Sequence, residues 1–323
     1  MARKSWMYSV LEAVQGEMRQ DKSMVWIFEL TPPVASTPGK PVINLEREFG
    51  RNRVVNTGID ENWMASATLG AGLAGSRAVT YIPYQGNAMC FQVIQNHAGK
   101  LRSMSGGKAA MPVVFILEMT GQTPGFAGQH SDYEIDTYYA HIAGVKTVVP
   151  STPYDAKGMM VSAIRDPNPV AYLYPAGLRE LMEEVPDNQY TVPLDKAAIR
   201  TTGSDITIVG SGASMPDVME ATGKLQAQGM KVEAIDLRCL KPMDTETLVK
   251  SVQKTKYLLT VDQSYYTLCP GAEVIARVAE NVAGARFKRV AFPDAPPPAS
   301  PEMFLWMRPS AENVVKAALK LVG

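Results

Sequence analysis

Apolar residues recur at three- and four-residue steps through Val10, Leu11, Val14 and Met18, which predicts an amphipathic helix early in the chain. Short apolar runs follow at Met24–Phe28, from Val54-Val55, and at Val113–Leu117, Lys146–Val149 and Pro169–Tyr174. Their length and β-branching suit buried strands. Residues 62–75 alternate Ala, Ser, Gly and Leu and predict a helix that packs very closely. Pro150-Ser151-Thr152-Pro153 opens another helix, with a hydroxyl cap and proline in the first turn. A Pro- and Gly-bearing loop spans 31–41, and a longer one runs from Thr120 to Gly128, a length that often marks function. Near 186 the texture changes. Pro186, Asp187, Asn188 and Pro193 mark a linker, after which Ile206–Val209, Val232–Asp236 and Tyr257–Val261 predict a second set of strands. A helix is expected after Gly210-Ser211-Gly212, and an extended run over 293–301 precedes a final helix. Strands alternating with helices imply parallel sheets covered on both faces. The expected fold is α/β, with domains at 1–185 and 186–323.

Composition narrows the function classes. The 32 basic and 32 acidic residues balance, so no charge excess points to nucleic acid or anionic lipid. No apolar stretch reaches the ~18 residues that span a bilayer. Cys90, Cys239 and Cys269 form no CxxC pair and cannot all pair with one another. Together with an N-terminus lacking an apolar run, they predict a cytoplasmic protein. Gly70-Ala71-Gly72-Leu73-Ala74-Gly75 matches G-x-G-x-x-G, but the preceding residues read as helix where a dinucleotide site needs a strand. Close helix packing is the expectation there. Gly210-Ser211-Gly212 follows a strand and opens a helix, as an anion site would, yet lacks the third glycine. His97, His130 and His141 have no metal-ligand spacing.

Several ordered motifs carry a resemblance. These are Val54-Val55-Asn56-Thr57-Gly58-Ile59-Asp60-Glu61, Met104-Ser105-Gly106-Gly107 and Gly128-Gln129-His130-Ser131. To them add Val148-Val149-Pro150-Ser151-Thr152-Pro153-Tyr154-Asp155-Ala156-Lys157-Gly158 and Ala163-Ile164-Arg165-Asp166-Pro167-Asn168-Pro169. Further on, Ile235-Asp236-Leu237-Arg238 precedes Lys241-Pro242-Met243-Asp244. Over nearly its whole length the chain resembles the β subunits of thiamine-diphosphate-dependent 2-oxo acid dehydrogenases (the E1 components of the pyruvate, branched-chain and acetoin systems) and, more distantly, transketolase. The resemblance implies a transketolase-like pyrimidine-binding domain followed by a transketolase C-terminal-like domain.

It also implies roles. The cofactor of this family reacts through a carbanion at C2, formed when its own aminopyrimidine takes the imino form. A carboxyl group on the ring nitrogen N1′, in a dry pocket, promotes that form. Glu61 matches the residue in that role; read without the resemblance, it is a helix-start carboxylate favoured by the dipole. Tyr84, in Tyr81-Ile82-Pro83-Tyr84-Gln85-Gly86, matches the ring that stacks on the aminopyrimidine, although the segment is one residue shorter than the family pattern. Its plain reading is a core tyrosine. His130 matches the active-site histidine, able to move protons near neutral pH; a lone histidine is otherwise structural. Val113, Ala163, Ile164, Asp166 and Asn168 match a structural potassium site, which on residues alone is an ordinary helix end.

Two departures bear on the substrate. Phe28-Glu29-Leu30-Thr31 stands where the family has Gly-Glu-Asp-Val, and Ile116 stands where it has Arg. A 2-oxo acid other than pyruvate, or an acyloin, is therefore open as substrate. The Gly-Asp-Gly motif that holds the cofactor's diphosphate through Mg²⁺ is absent from the sequence. That half is expected on an α-type partner chain, in an α2β2 tetramer that donates acyl groups to a lipoyl acyltransferase (E2). Two rival readings are a transketolase-like carbon–carbon transfer without oxidation and a non-catalytic interaction subunit.

Overall fold

The computed structural model describes residues 2–30, 32–83, 86–119 and 135–323. Two compact units divide them: one takes the residues up to 119 together with 139–194, the other 135–138 with 195–323. Among the described residues, no helix is long and apolar enough to cross a membrane.

The first unit opens with strand β1 (Ala2–Ser5) and helix α1 (Trp6–Gln20). Ser5 caps α1 by accepting from the Tyr8 N–H. The apolar stripe read from the sequence is the buried face of this helix: Val10, Leu11, Val14 and Met18 are all buried. Strands β2 (Val25–Phe28), β3 (Val54–Asn56), β4 (Ala78–Ile82), β5 (Val113–Met119), β6 (Lys146–Val148) and β7 (Val170–Pro175) follow along the chain. They form a parallel sheet in the order β6-β7-β5-β4-β2-β3. Every residue of β4, β5 and β7 is buried, as expected of strands covered on both faces. Helix α2 (Glu61–Leu73) lies close to this sheet, and a Cβ on Gly72 would sit 2.6 Å from Val113 Cγ1. Close packing holds for Gly72 only: a Cβ at Gly70 or Gly75 would meet nothing within 4 Å, and Gly75 instead ends the helix at φ 89°. Lys4 and Lys157 are fully buried; both donate to Glu12, at 2.7–2.8 Å, and to the Pro186 carbonyl. This ties the start of the chain to the segment that leaves the unit.

The second unit is a smaller sheet in the order β8-β10-β9-β11-β12. Its strands are β8 (Ala198–Thr201), β9 (Ile206–Gly210), β10 (Val232–Asp236), β11 (Tyr257–Tyr265) and β12 (Arg286–Phe292). Only β8 runs antiparallel to its neighbour. The Gly210-Ser211-Gly212 loop closes on itself, with the Ser211 N–H donating to Ser214 Oγ at 2.9 Å. Ahead of the final helix (Ala311–Val322) the extended run ends in a short helix, Pro301–Met307.

Two buried acids in this unit set a pH dependence. Asp136 accepts from Ser264 Oγ at 2.6 Å and from the Thr137 N–H at 2.7 Å. Burial pushes its carboxyl up to about 7, with Asp262 adding to the rise. Burial likewise pushes Asp262 up to about 6. The folded state therefore holds protons that the unfolded chain releases near 3.8. Their contribution to stability is fully present below that value and is lost as pH rises through 6 and 7. Asp136→Asn keeps both accepted hydrogen bonds without the buried charge. It should match wild type in melting temperature near pH 4 and exceed it at pH 8 by several degrees, about 2–4 °C per kcal/mol. A variant that melts lower at pH 8 would show that the ionised carboxylate is needed there.

Candidate active site

In open parallel sheets, ligands bind beyond the carboxyl ends of the strands. Here the ends of β2, β3 and β4 bring together Glu29, the turn 57–61 and the first residue of helix α3 (Gly86–Gln92). The Thr57 N–H donates to the Phe28 carbonyl at 2.9 Å, carrying the β3 exit across the end of β2. Asp60 then caps α2, accepting from the Trp63 N–H at 2.9 Å. Glu29 stands behind this cap, 1% exposed, and its Oε2 accepts from the Asp60 N–H at 3.0 Å. Glu61 is thus fixed as the first helical residue of α2, half-buried, with the positive end of the helix dipole beneath it.

The two carboxyl groups interact. Glu29 is pushed above its ordinary value, first by burial and then by the Glu61 charge, while the Asp60 N–H pulls it back. A carboxyl that resists ionisation beside a second one is an arrangement suited to proton sharing. Glu29 was visible in the sequence only as part of a departure from the family pattern. The available signal was a carboxylate directly after a buried strand. Leu30 beside it adopts φ 51° and is 57% exposed. A left-handed backbone at a branched residue stores about 1–2 kcal/mol of strain, which tends to gather at functional sites.

Tyr84 and His130 lie outside the described residues, as does Thr31. Ile116 is buried on β5 beside Tyr81 of β4 and Tyr172 of β7. It lines a small apolar cavity with Trp6, Leu11 and Trp26, within the core under α1.

Ala163 and Ile164 end helix α4 (Pro153–Arg165), and Asp166 and Asn168 form the turn beyond it. The Pro167 carbonyl accepts from the Met111 N–H at 2.9 Å, which brings this turn to the start of β5 at Val113. The Asp166 carboxylate is already engaged, by Lys146 and by the Asn168 N–H and side-chain amide. Arg102 donates to Asn168 Oδ1 at 3.0 Å, and Arg77 donates to the Ile164 carbonyl. A cation here would rest on main-chain oxygens rather than on the carboxylate, and one of these, the Ile164 carbonyl, already accepts from Arg77.

Both units match known domain families. Residues 3–180 match the transketolase pyrimidine-binding domain, and 195–314 the transketolase C-terminal domain. The fold is that of a solved structure titled split gene transketolase, inactive beta4 tetramer, with a TM-score of 0.81, 19% identity and 97% of each chain covered. The protein is therefore of the transketolase-like two-domain class. The acetoin:2,6-dichlorophenolindophenol oxidoreductase subunit beta of Cupriavidus necator is 34% identical, covering 99% of this chain and 98% of its own. The pyruvate dehydrogenase E1 component subunit beta of Bacillus subtilis is 31% identical over 100% and 99%. The chain belongs to this family of E1-type β subunits.

Proposed function

We propose that this chain is the β subunit of a thiamine-diphosphate-dependent oxidoreductase that decarboxylates a 2-oxo acid, or cleaves an acyloin, and passes the acyl group to a lipoyl acceptor. The observation that carries this reading is Glu61: a carboxylate held at the strand ends of a transketolase-type pyrimidine-binding domain, beside the buried acid Glu29. When bound, the cofactor supplies a nucleophilic carbon for the substrate carbonyl. Glu61 shares a proton with the pyrimidine nitrogen, and Glu29, slow to ionise, keeps the surroundings from collecting a second negative charge. Tyr84 offers a ring face to the pyrimidine. His130 exchanges protons with the substrate. His130→Ala should lower turnover by about 10²-fold or more while cofactor affinity changes little. Unchanged turnover with a large loss of affinity would contradict this role.

The diphosphate and its Mg²⁺ are assigned to an α-type partner, since the sequence has no Gly-Asp-Gly. The complex is an α2β2 tetramer acting in the cytoplasm, with E2 as the acceptor-bearing partner. The rival reading, a transketolase-like transfer, separates in one assay: acyl transfer to a lipoyl domain against aldose formation. The turn at 163–168 is the proposed seat of a potassium ion held by helix-end carbonyls. A ligand bound only to the folded state stabilises it by mass action. Melting temperature should then be higher in potassium chloride than in equimolar sodium chloride by about 3 °C or more. Identical curves would remove the ion from the account.

A further inference from the structure

Helix α3 begins at Gly86, whose N–H donates to the Pro83 carbonyl at 3.2 Å. Its backbone has no positive φ, so no turn geometry demands glycine there. What does demand it is Glu61. A Cβ at position 86 would lie 2.4 Å from Glu61 Cγ, 2.8 Å from Oε1 and 2.9 Å from Cδ. All three of its nearest neighbours belong to this one side chain. Real side chains do not tolerate such distances, so either the backbone or Glu61 must move.

Which atom is nearest decides how Glu61 would move. A clash with the carboxylate oxygens alone could be relieved by swivelling the end of the side chain. Cγ, however, is placed by the first side-chain torsion, and that torsion has only three staggered wells. Relief therefore means a jump to another well, which carries the whole carboxyl group away from its present direction. Glu61 cannot follow by shifting its backbone, because Asp60 is fixed on both sides: its side chain caps Trp63 and its N–H bonds Glu29.

We propose that Gly86 is a positioning residue for Glu61: the missing side chain at 86 leaves the space that fixes the direction of the Glu61 carboxyl, and with it the bond to the cofactor's pyrimidine nitrogen. This rests on the reading of Glu61 given above. Helix energetics alone would favour the opposite residue, since alanine is better than glycine in a helix.

The test uses Gly86→Ala in the complex with the α-type partner and two ligands, thiamine diphosphate and its analogue with CH in place of N1′. The analogue cannot take part in the Glu61 bond. Wild type should prefer the true cofactor by about 10- to 100-fold, the range of one charge-assisted hydrogen bond. Gly86→Ala should lose most of that preference by weakening the true cofactor while the analogue binds as before. Equal weakening of both ligands would indicate a merely structural glycine, and an undiminished preference would also overturn the proposal. Glu61→Ala serves as the control: if it keeps the wild-type preference, the parent reading of Glu61 fails instead. Melting curves of the ligand-free protein give a second readout. In the Glu61→Ala background, which removes Cγ, Gly86→Ala should be neutral or stabilising, whereas in wild type it should destabilise. The same effect in both backgrounds would show that the two residues are uncoupled, against the proposal.

Discussion

Glu61→Gln is expected to lower turnover of the assembled enzyme by about 10²–10⁴-fold, the range of a lost general acid–base contact, with the fold intact. Glutamine has the same shape and keeps an acceptor oxygen, so the half-buried first turn of the helix barely notices it. It has no acidic proton to share with a ring nitrogen, and that is the property the proposed role needs. The Glu29–Glu61 pair adds a second consequence. Burial and the Glu61 charge together raise Glu29. Removing that charge should let Glu29 ionise at lower pH, because burial and the smaller Asp60 charge are then all that oppose it. Steady-state turnover of the wild-type and variant complexes, at matched cofactor saturation, measures the main effect. Turnover within about threefold of wild type would mean that Glu61 does not activate the cofactor.

The sequence pattern reached most of the architecture where strands were purely apolar. Val113–Leu117 is apolar and buried at every position, and such a run stands out; Val232–Asp236 is legible through its alternation with helices despite Glu233 and Asp236. Ala78–Ile82 was not read as a strand, although it is a central one, because Thr80 and Tyr81 interrupt the apolar texture. Thr80 Oγ1 donates to the Ile27 carbonyl and Tyr81 OH to Glu118 Oε2, so both polar groups are satisfied inside. Arg286–Phe292 was missed for the opposite reason. It is the edge of its sheet, and Arg286, Lys288 and Arg289 give it the charge that edges carry. The helices at 86–104 were also unread, for glycines and short polar runs broke their period.

At the site, single residues were legible only through their motif context. Glu61 was named because Ile59-Asp60-Glu61 stands in a longer match. Nothing in a one-dimensional pattern indicates that Glu29 lies behind it, since that contact joins the ends of two different strands. Gly86 carries no signal at all before the side chain it faces is known. Ile116, which stands where the family has Arg, lies in the core among Trp6, Leu11 and Trp26. It therefore gives no ground for assigning the substrate.

The second large effect follows from what this chain offers a cofactor. On the proposed reading Glu61 serves the pyrimidine end, while the sequence lacks the Gly-Asp-Gly that would bring Mg²⁺ to the diphosphate. The most highly charged part of the ligand would stay unneutralised on this chain alone, and a charged group without its partners binds poorly. Isothermal titration of thiamine diphosphate with Mg²⁺, into the purified chain and then into the chain assembled with its α-type partner, measures this directly. The account predicts binding at least about 100-fold tighter in the complex, and no turnover without the partner. Tight, Mg²⁺-dependent binding to the chain by itself would contradict it, and would mean that this chain carries a diphosphate site of its own.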